Sequence, residues 1–417
     1  MIAKARQAAA PASASLHQTP ADDRESRRLS VLAVTPIFEN GGTEVQLLEL
    51  GHALRARGDR YRVVTGGGTR VDDLRQAGID HRIVRQTAGL VPVPVELSSY
   101  SWAIVRELLA EPVDVIQSTS IRSTYAATAA IAAYALWRPR APEPAVVTTL
   151  HGGKQHDLYG RAARHLRWMT DAVITVAQEG RDALLRRGFP ADRVRVVPPG
   201  RDLSAFLAVA AGATAPAELA GVPAGARVVL AVGRLAPLKG IEYLLDAWVS
   251  VVATAPDAVL VIVGSGELEA ELRARATTLA IAGSVVFAGF RTDVPALLAR
   301  AHAFVLSSLW EGLPMSVVEA MAAHRPVVAT AAGGTSDVVR DGDTGLLVPP
   351  RDAAALADAL RRVLADQQLA ARLADAGSQQ VLQRYTREAL LAATRAVYLQ
   401  ACERRASRSN AWLAYEA

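Results

Sequence analysis

Two glutamates on either side of a turn are the first candidates for chemistry. Seven residues separate Glu311 from Glu319, among them Gly312 and Pro314. A β-branched run ends at Leu306, so Glu311 falls on a loop, Pro314 suits the first position of a helix, and Glu319 lies on that helix. One carboxylate can then hold sugar hydroxyls and the other a ribose diol, with helix N–H groups between them. The alternative is an ordinary loop acid and a surface helical residue.

A second candidate is a pair of cations on a loop rich in Gly and Pro. Arg234 and Lys239 follow a predicted strand, and Gly233 precedes them. A diphosphate leaving group gains negative charge as its bond to a sugar breaks, and two fixed cations would stabilise that charge. Lys239 is one of only three lysines in the chain. Taken alone, the loop also fits an ordinary solvated turn.

Two pairs of glycines stand where strands run into helices. Gly41 and Gly42 precede a helix predicted from Thr43, and Gly264 and Gly266 follow a later strand. Glycines let backbone N–H groups approach an anion closely, and a helix start adds a favourable dipole. A glycine pair at a turn is also common without any ligand, so these are weak signals.

Short apolar runs alternate with amphipathic segments and predict two α/β domains, each with a doubly wound parallel sheet. The predicted strands are Ser30–Thr35, Tyr61–Thr65, Val113–Gln117, Ala145–Leu150, Ala172–Val176, Arg193–Val197, Arg227–Val232, Ala258–Val263, Ser284–Ala288, Ala303–Leu306, Pro326–Ala329 and Gly345–Val348. Helices are predicted at Thr43–Arg57, Arg161–Met169, Ile241–Ala253 and Leu268–Leu279. The Ala-, Gly- and Pro-rich run Ala205–Ala226 is the expected interdomain joint, and the chain is expected to be helical from Val348 to about Cys402.

Length and composition fit two domains, since 417 residues exceed what one core usually organises. Cys402 is the only cysteine, which excludes an intramolecular disulfide and suits a reducing, cytoplasmic compartment. No apolar run reaches the ~20 residues of a membrane span. Residues 1–28 lack an apolar signal-peptide core and are expected to be a disordered tail.

The positive charge is concentrated in the first half of the chain. Residues 1–201 contain 27 Lys and Arg against 20 Asp and Glu, whereas residues 202–417 contain 19 against 21. An anionic membrane surface or an acidic acceptor would suit the first half, and no nucleic-acid recognition motif is present. Basic and aromatic residues of an interfacial helix are candidates for membrane contact, although a solvated helix face is the alternative: Arg161, Arg164, His165, Arg167 and Trp168.

Together these motifs resemble glycosyltransferase family 4, a family of retaining enzymes with the GT-B fold. The resemblance runs from about Leu29 to Tyr385. It includes Gly233, Arg234 and Pro237–Gly240, the two glutamates seven residues apart, and the following Gly333-Gly334. Thr149–Gly152 is similar to the family's histidine loop, and Val197–Asp202 to its domain-joining stretch.

The resemblance implies a role for each motif. Arg234 and Lys239 would hold a donor diphosphate without a metal, with Gly42 approaching it from the opposite domain. Glu311 would contact the donor sugar and Glu319 the ribose, while His151 would lie beside the anomeric carbon. Other donor contacts would come from Gly41, Gly233, Gly264, Gly266, Phe290, Arg291, Gly312, Leu313, Pro314 and Met315. No cofactor is implied, since a UDP- or GDP-sugar is a substrate, and the acceptor would be a glycan or a lipid-linked glycan.

The family also implies domain limits, and the sequence departs from its pattern in places. An acceptor-binding domain over 29–204, a donor-binding domain over 205–385 and a C-terminal helix and tail over 386–417 are expected. Asn is frequent in the family where Pro199 stands, Ser where Ala177 stands, and Glu where Asp337 stands. The shorter acid and the missing hydroxyl predict different local contacts within the same class.

Other functions remain open from the sequence. A glycosidase with paired carboxylates would not need the Arg234 and Lys239 cations. A nucleotide-sugar epimerase or hydrolase would share the fold, because fold does not fix function. A dinucleotide-binding dehydrogenase is disfavoured, since the glycines after the first strand lack the required spacing. A protein that only binds is disfavoured because all the presumed catalytic positions are filled.

Overall fold

The computed structural model describes residues 26–39, 41–84, 93–151 and 156–416. Within these ranges the side chains of 93–96, 156–162 and 409–416 are not described. The predicted tail, residues 1–28, therefore lies outside the description except for its last three residues. Of these, Arg27 donates a hydrogen bond from Nη2 to the Asp114 carboxylate at 2.8 Å.

The first domain is built on a seven-stranded, all-parallel sheet. Its strand order is β3-β2-β1-β4-β5-β6-β7. The strands are β1 (Ser30–Thr35), β2 (Arg60–Thr65), β3 (Asp80–Ile83), β4 (Val115–Ser118), β5 (Ala145–Leu150), β6 (Ala172–Thr175) and β7 (Val194–Val196). The order reverses between β1 and β4, which is where ligands bind in such sheets.

The second domain has a six-stranded parallel sheet in the order β10-β9-β8-β11-β12-β13. Its strands are β8 (Arg227–Val232), β9 (Ala258–Val263), β10 (Val285–Gly289), β11 (Ala303–Leu306), β12 (Val327–Thr330) and β13 (Leu346–Val348). Here the switch point lies between β8 and β11, so the loops after these strands are the expected ligand loops.

Fifteen α-helices are found in the described part of the chain. They are α1 (Gly42–Ala56), α2 (Val71–Gln76), α3 (Val93–Ala110), α4 (Ile121–Trp137), α5 (His156–Met169), α6 (Gln178–Arg186), α7 (Ser204–Ala210), α8 (Ile241–Thr254), α9 (Glu269–Thr278), α10 (Val294–Arg300), α11 (Met315–Ala322), α12 (Thr335–Val338), α13 (Ala353–Ala365), α14 (Gln367–Arg384) and α15 (Arg387–Glu416). Short 3₁₀ turns cover Ala191–Arg193, Pro237–Lys239 and Ala282–Ser284.

Both faces of each sheet are covered, which explains why the central strands are apolar throughout rather than alternating. In β1, Val31 and Ala33 join a core with α1 and α15, while Leu32 and Val34 join a core with α3 and α4. Successive side chains of a strand point to opposite faces, so each set packs against its own helical layer.

The C-terminal helix returns to the first domain. Tyr385, just after α14, is buried in a core of the second domain, whereas Tyr398 of α15 is buried against the first sheet. A buried ion pair between Arg395 and Asp59, at 2.8 Å, fixes this helix in place. This two-domain architecture with its returning helix confirms the predicted GT-B fold class.

Two local features differ from the sequence expectation. Strand β3 was not predicted, because it is a half-exposed edge strand with the polar sequence Asp-His-Arg-Ile. The expected joint, 205–226, begins with helix α7, whose Phe206 and Val209 pack into a core of the second domain. The domain limits at 204/205 and 385/386 stay predictions. No helix in the described residues is long and apolar enough to cross a membrane.

Candidate active site

The loops after β8 and β11 are fastened to each other at the switch point of the second sheet. Ser307 donates from Oγ to the carbonyl oxygen of Lys239 at 2.9 Å, and the Leu309 N–H donates to the Leu238 carbonyl at 2.8 Å. Gly240 adopts φ 56°, and a Cβ there would lie 2.4 Å from the Ser307 oxygen. Only glycine combines that φ with this close approach at no steric cost. The two loops therefore carry their side chains in a fixed relation.

These loops bring Lys239 and Glu311 into contact. The Lys239 Nζ lies 2.6 Å from Glu311 Oε1, and Ser308 Oγ donates to the same oxygen at 2.6 Å. Both side chains are mostly buried, with 26% and 12% of their surface exposed. A charge-assisted bond of this length in a partly dry site is among the stronger polar contacts in proteins. The cation and the carboxylate predicted from separate motifs thus form one unit.

Arg234, five residues before Lys239 on the loop after β8, is a second cation. Its side chain is exposed and has no hydrogen bond or ion pair with any other described residue. A guanidinium held on a short loop, with its five donors uncommitted, is suited to bidentate recognition of phosphate. Arg234 and Lys239 thus supply one open and one paired cation at the carboxyl end of β8.

The glycines of this region serve backbone packing. A Cβ on Gly264 would lie 1.9 Å from the Gly233 carbonyl oxygen, and one on Gly266 would lie 2.2 Å from the Leu235 oxygen. Gly233 itself lies under the Lys239 side chain, with 3.6 Å from its would-be Cβ to Cε. The loops after β8 and β9 therefore pack closely against each other. This close packing is a structural reason for glycine at 264 and 266, where the sequence analysis expects donor contacts.

The first domain meets this site at the end of β5. A Cβ on Gly312 would lie 2.5 Å from the His151 carbonyl oxygen. A Cβ on Gly334 would lie 1.9 Å from the Gly312 oxygen and 3.0 Å from Cβ of Ala177 in the first domain. The glycines at 312 and 334 allow the two domains to approach to backbone contact here.

His151 lies in the cleft as a neutral imidazole. Its Nε2 is buried with no hydrogen-bond partner among the described residues. Burial lowers the pKa of His151 to about 4, because the charged ring would lose its hydration. At neutral pH the ring can accept or donate one hydrogen bond without carrying charge. Residues 152–155, including Gly152 of the predicted histidine loop, lie outside the described residues.

Glu319 is buried on α11, rather than exposed on a helix surface, and bonds to Arg201 of the domain-joining stretch. Burial raises the pKa of Glu319, and the Arg201 guanidinium opposes that rise. The sequence predicts Pro314 as the first residue of this helix. That prediction is wrong, because helix α11 begins at Met315 and Pro314 is the residue before it. Its ψ of 96° is extended, so it cannot belong to the first turn.

The remaining predicted donor contacts are placed as follows. Gly41 precedes α1, which begins at Gly42; a Cβ on Gly42 would meet no atom within 4 Å, so its approach is open. Leu313 and Met315 are partly buried against the second-domain core. Phe290 is 73% exposed and follows β10, and Arg291 is bonded to Asp293 at 2.5 and 2.7 Å.

Sequence reasoning missed a contact between the domains. The backbone N–H of Gln178, the first residue of α6, donates to Asp337 Oδ2 at 2.6 Å. Ala177 is the residue before α6 and has no side chain that could cap it. Two of the three departures noted from the family pattern therefore occur at this contact across the domain interface: Asp337 accepts the bond, and Ala177 precedes the residue that donates it. The partners are 159 positions apart in the sequence, so no local motif predicts this pairing.

Among the residues whose side chains are described, no three His, Cys, Asp or Glu side chains group together in a way that could hold a metal ion.

Comparisons with known proteins agree with the fold. Residues 40–205 match the family model described as Glycosyltransferase Family 4, and residues 220–380 match Glycosyl transferases group 1. One relative is the lipopolysaccharide core biosynthesis glycosyltransferase LpsE of Rhizobium meliloti, 38% identical over 168 residues, which are 40% of this chain and 48% of LpsE.

A second relative is a UDP-Gal:alpha-D-GlcNAc-diphosphoundecaprenol alpha-1,3-galactosyltransferase of Escherichia coli, 28% identical over 54% of this chain and 62% of that protein. The chain thus spans about half to three fifths of the length of these relatives. The crystal structure of Anabaena HepE in complex with UDP and glucose superposes with a TM-score of 0.71, at 22% identity, over 88% of this chain and 98% of HepE. With one family model matched in each domain and the GT-B architecture in common, the chain belongs to glycosyltransferase family 4.

Proposed function

We propose that this protein is a retaining glycosyltransferase that moves a sugar from a nucleoside diphosphate donor to an acceptor hydroxyl without a metal ion. The observation that carries the proposal is the Lys239–Glu311 ion pair at 2.6 Å, with the uncommitted Arg234 beside it. Both cations stand at the carboxyl end of β8, where a diphosphate can lie. The carboxylate of the same unit is left one oxygen, Oε2, for a sugar hydroxyl.

The chemistry needs charge stabilisation more than an acid or a base. The bond from the anomeric carbon to the diphosphate oxygen breaks as the acceptor oxygen bonds to the same face of that carbon. The acceptor's proton passes to the departing phosphate oxygen, so atoms and charge balance with no protein base. Arg234 and Lys239 stabilise the negative charge that develops on the diphosphate as this bond breaks. His151, neutral because burial lowers its pKa to about 4, adds no positive charge near the cationic sugar.

Two clues favour a uridine diphosphate donor. The E. coli relative is named for UDP-Gal, and HepE was solved with UDP. The name of LpsE concerns lipopolysaccharide, and the name of the E. coli relative concerns an undecaprenol-linked glycan. The proposed acceptor is therefore a cell-surface polysaccharide precursor or a lipid-linked glycan. A nucleotide-sugar epimerase or hydrolase with the same fold is the competing proposal, and no residue contact favours it.

We further propose that the first domain rests on an anionic membrane at the cytoplasmic face. Helices α3, α4 and α5 lie side by side on one face of the first sheet. A 2.7 Å hydrogen bond between Tyr125 OH and His165 Nδ1 joins α4 to α5. Their outer surface exposes Trp102, Trp137 and Trp168 to 54–76%. Tryptophans beside basic residues such as Arg164 and Arg167 are typical of an interfacial surface. The side chain of Arg161, also predicted for this role, lies outside the described ones.

The membrane proposal predicts flotation with vesicles that contain anionic lipid and none with neutral vesicles. Replacing Trp168 by Ser and Arg164 and Arg167 by Gln is expected to abolish flotation at physiological salt while leaving soluble donor turnover unchanged. Equal flotation of the triple variant would overturn the proposal.

The transferase proposal is tested first by thermal shift with UDP, GDP, ADP and NAD, each with EDTA present. A ligand at 100 times its Kd adds about 2.7 kcal/mol to the free energy of unfolding. A shift with one diphosphate that is lost in Arg234→Gln, but kept in the exposed control Arg273→Gln, is expected. A shift with NAD alone would overturn the proposal. Release of nucleotide from the donor at the same rate with and without any acceptor would favour the hydrolase.

A further inference from the structure

A cluster of basic side chains lines a cavity far from the proposed site. The cavity has a volume of about 740 Å³ and lies in the second domain. Its wall includes Arg300, His302 and Arg325, together with the loop that contains Glu218 and Val222. His302 directly precedes β11 and Arg325 comes shortly before β12, so this cavity is at the amino edge of the sheet. The cleft with Lys239 and Glu311 is at the opposite, carboxyl edge.

Arg300 is held rigidly in the cavity wall. Its guanidinium donates to three backbone carbonyls, those of Pro223, Ala224 and Ala226, at 2.8, 2.9 and 3.1 Å. Carbonyl dipoles orient the guanidinium but do not cancel its unit charge. No carboxylate of a described residue lies within 4.0 Å of it. The wall thus presents a fixed positive charge.

Arg325 adds a second positive charge with still fewer partners. It is half-buried, its Nε is buried with no hydrogen bond to a described residue, and it forms no ion pair with any of them. Burial lowers the pKa of Arg325, and no nearby carboxylate opposes the shift. Arginine is seldom buried without an anionic partner, because desolvation of the charge is costly. No described residue supplies an anionic partner for Arg325.

His302 completes the donor set. Its Nδ1 accepts a hydrogen bond from the Val228 N–H at 3.1 Å, so in the neutral ring the hydrogen must be on Nε2. Burial lowers the pKa of His302, and the charges of Arg300 and Arg325 lower it further. The two arginines and His302 line the same cavity. His302 therefore offers a single neutral N–H donor beside two cations.

We propose that this cavity, bounded by Arg300, His302 and Arg325, is a second anion-binding site that takes a small phosphorylated molecule. The Arg325 guanidinium, which has no described partner, can offer planar donors to phosphate oxygens, and Arg300, whose donors are held by carbonyls, adds positive charge. Only Glu218 lines the cavity with opposite charge, and it forms no ion pair with a described residue. The volume falls within the ~300–1,000 Å³ of small-molecule sites. The proposal is independent of the transferase function, because it shares no residue with the cleft.

The test uses inorganic phosphate as the probe, measured by isothermal titration calorimetry at constant ionic strength. The proposed active site also attracts phosphate, so the reference protein carries Arg234→Gln and Lys239→Met. That protein is expected to bind phosphate at one site, and adding Arg325→Gln is expected to weaken the binding at least tenfold. Adding Arg186→Gln instead, which removes an exposed arginine of the first domain, is expected to change nothing.

Equal phosphate affinity in the Arg325 and Arg186 variants would overturn the proposal, as would no binding to the reference protein. Acetate in place of phosphate distinguishes the ligand class: equal binding of acetate would overturn the assignment to phosphate. If Arg325→Gln does not fold, Arg325→Lys keeps the charge but loses the planar donor pair. It is expected to weaken phosphate binding at least threefold, and unchanged affinity would again refute the site.

Discussion

Asp337 is expected to link the stability of helix α6 to the closeness of the two domains. Its carboxylate accepts a hydrogen bond from the Gln178 N–H at 2.6 Å, and Ala177 offers the helix no cap of its own. A side-chain cap contributes about 1 kcal/mol, within a range of about 0.5–2. A carboxylate at a helix start gains further from the helix dipole. Because the cap belongs to the other domain, it is lost whenever the domains separate.

Replacing Asp337 by Ala should therefore have two effects. Loss of about 1 kcal/mol lowers Tm by about 2–4 °C for a domain of this size. The same loss shifts the balance between joined and separated domains about fivefold toward separation. The donor KM should rise by up to that factor, since the proposed site takes groups from both domains. Asp358→Ala, which removes an exposed acid from α13, is the matched control and should change neither quantity.

Ala177→Ser separates the two effects. Ala177 has φ −140° and ψ 158°, the extended conformation in which a serine side chain caps the helix that follows. In the Asp337→Ala background the serine should restore Tm, because α6 regains a cap within its own domain. It should not restore KM, because the new cap does not join the domains. If serine restores both, or if Asp337→Ala changes neither, the coupling is refuted.

Three further predictions concern the cleft. Gly42→Ala should leave Tm unchanged, since a Cβ there meets no protein atom, but should weaken UDP binding at least tenfold by filling the open space at this position. Gly312→Ala should lower Tm as well, because its Cβ would lie 2.5 Å from the His151 oxygen. Equal Tm values for the two variants would contradict this prediction. Glu311→Gln should lower kcat about 10²–10³-fold. A fall below tenfold, or an equal fall in the exposed control Glu271→Gln, would contradict its role. Burial lowers the pKa of His151 from 6.5 to about 4. Between these pH values the unfolded chain binds a proton that the folded protein does not. The free energy of unfolding therefore falls as the pH drops from about 6.5 to about 4, by up to about 1.4 kcal/mol per pH unit. In urea unfolding at pH 7 and pH 5, His151→Gln should lose less stability than the parent, and equal losses would contradict the assignment.

The fold could be predicted from the sequence because its strands are continuous apolar runs. Strand β1 was predicted with its observed ends, and β9 and β11 likewise, since buried parallel strands carry Val, Ile and Leu on both faces. Strand β3 escaped because, at the edge of the sheet, Asp-His-Arg-Ile is only half buried. Edge strands satisfy the backbone with one neighbour and need no apolar run, so no pattern identifies them.

The candidate site could be predicted only as separate motifs. Arg234, Lys239 and Glu311 stand out by residue type and by position after strands. The bond that joins Lys239 to Glu311 spans 72 residues and depends on the order of β8 and β11 in the sheet. The packing of the glycines is equally hidden from the sequence. Gly264 and Gly266 were assigned to a ligand, and a Cβ on either one would also collide with a backbone oxygen of the adjoining loop. Residue spacing identifies a loop, but only the packing shows where a side chain would collide with a neighbouring backbone.

Arg201 influences the ionisation of Glu319. Burial by itself would favour a protonated Glu319, and a protonated carboxyl accepts fewer hydrogen bonds from a diol. Arg201 opposes that effect, and it does so from the stretch that joins the domains, where it also forms a β-bridge with Thr386 at the start of the return to the first domain. The pKa of the residue assigned to the ribose therefore depends on the joint between the domains. A movement that pulled Arg201 away would raise the pKa of Glu319 further and remove its ion-pair partner, so we expect domain position and donor affinity to be coupled through this ion pair as well as through Asp337.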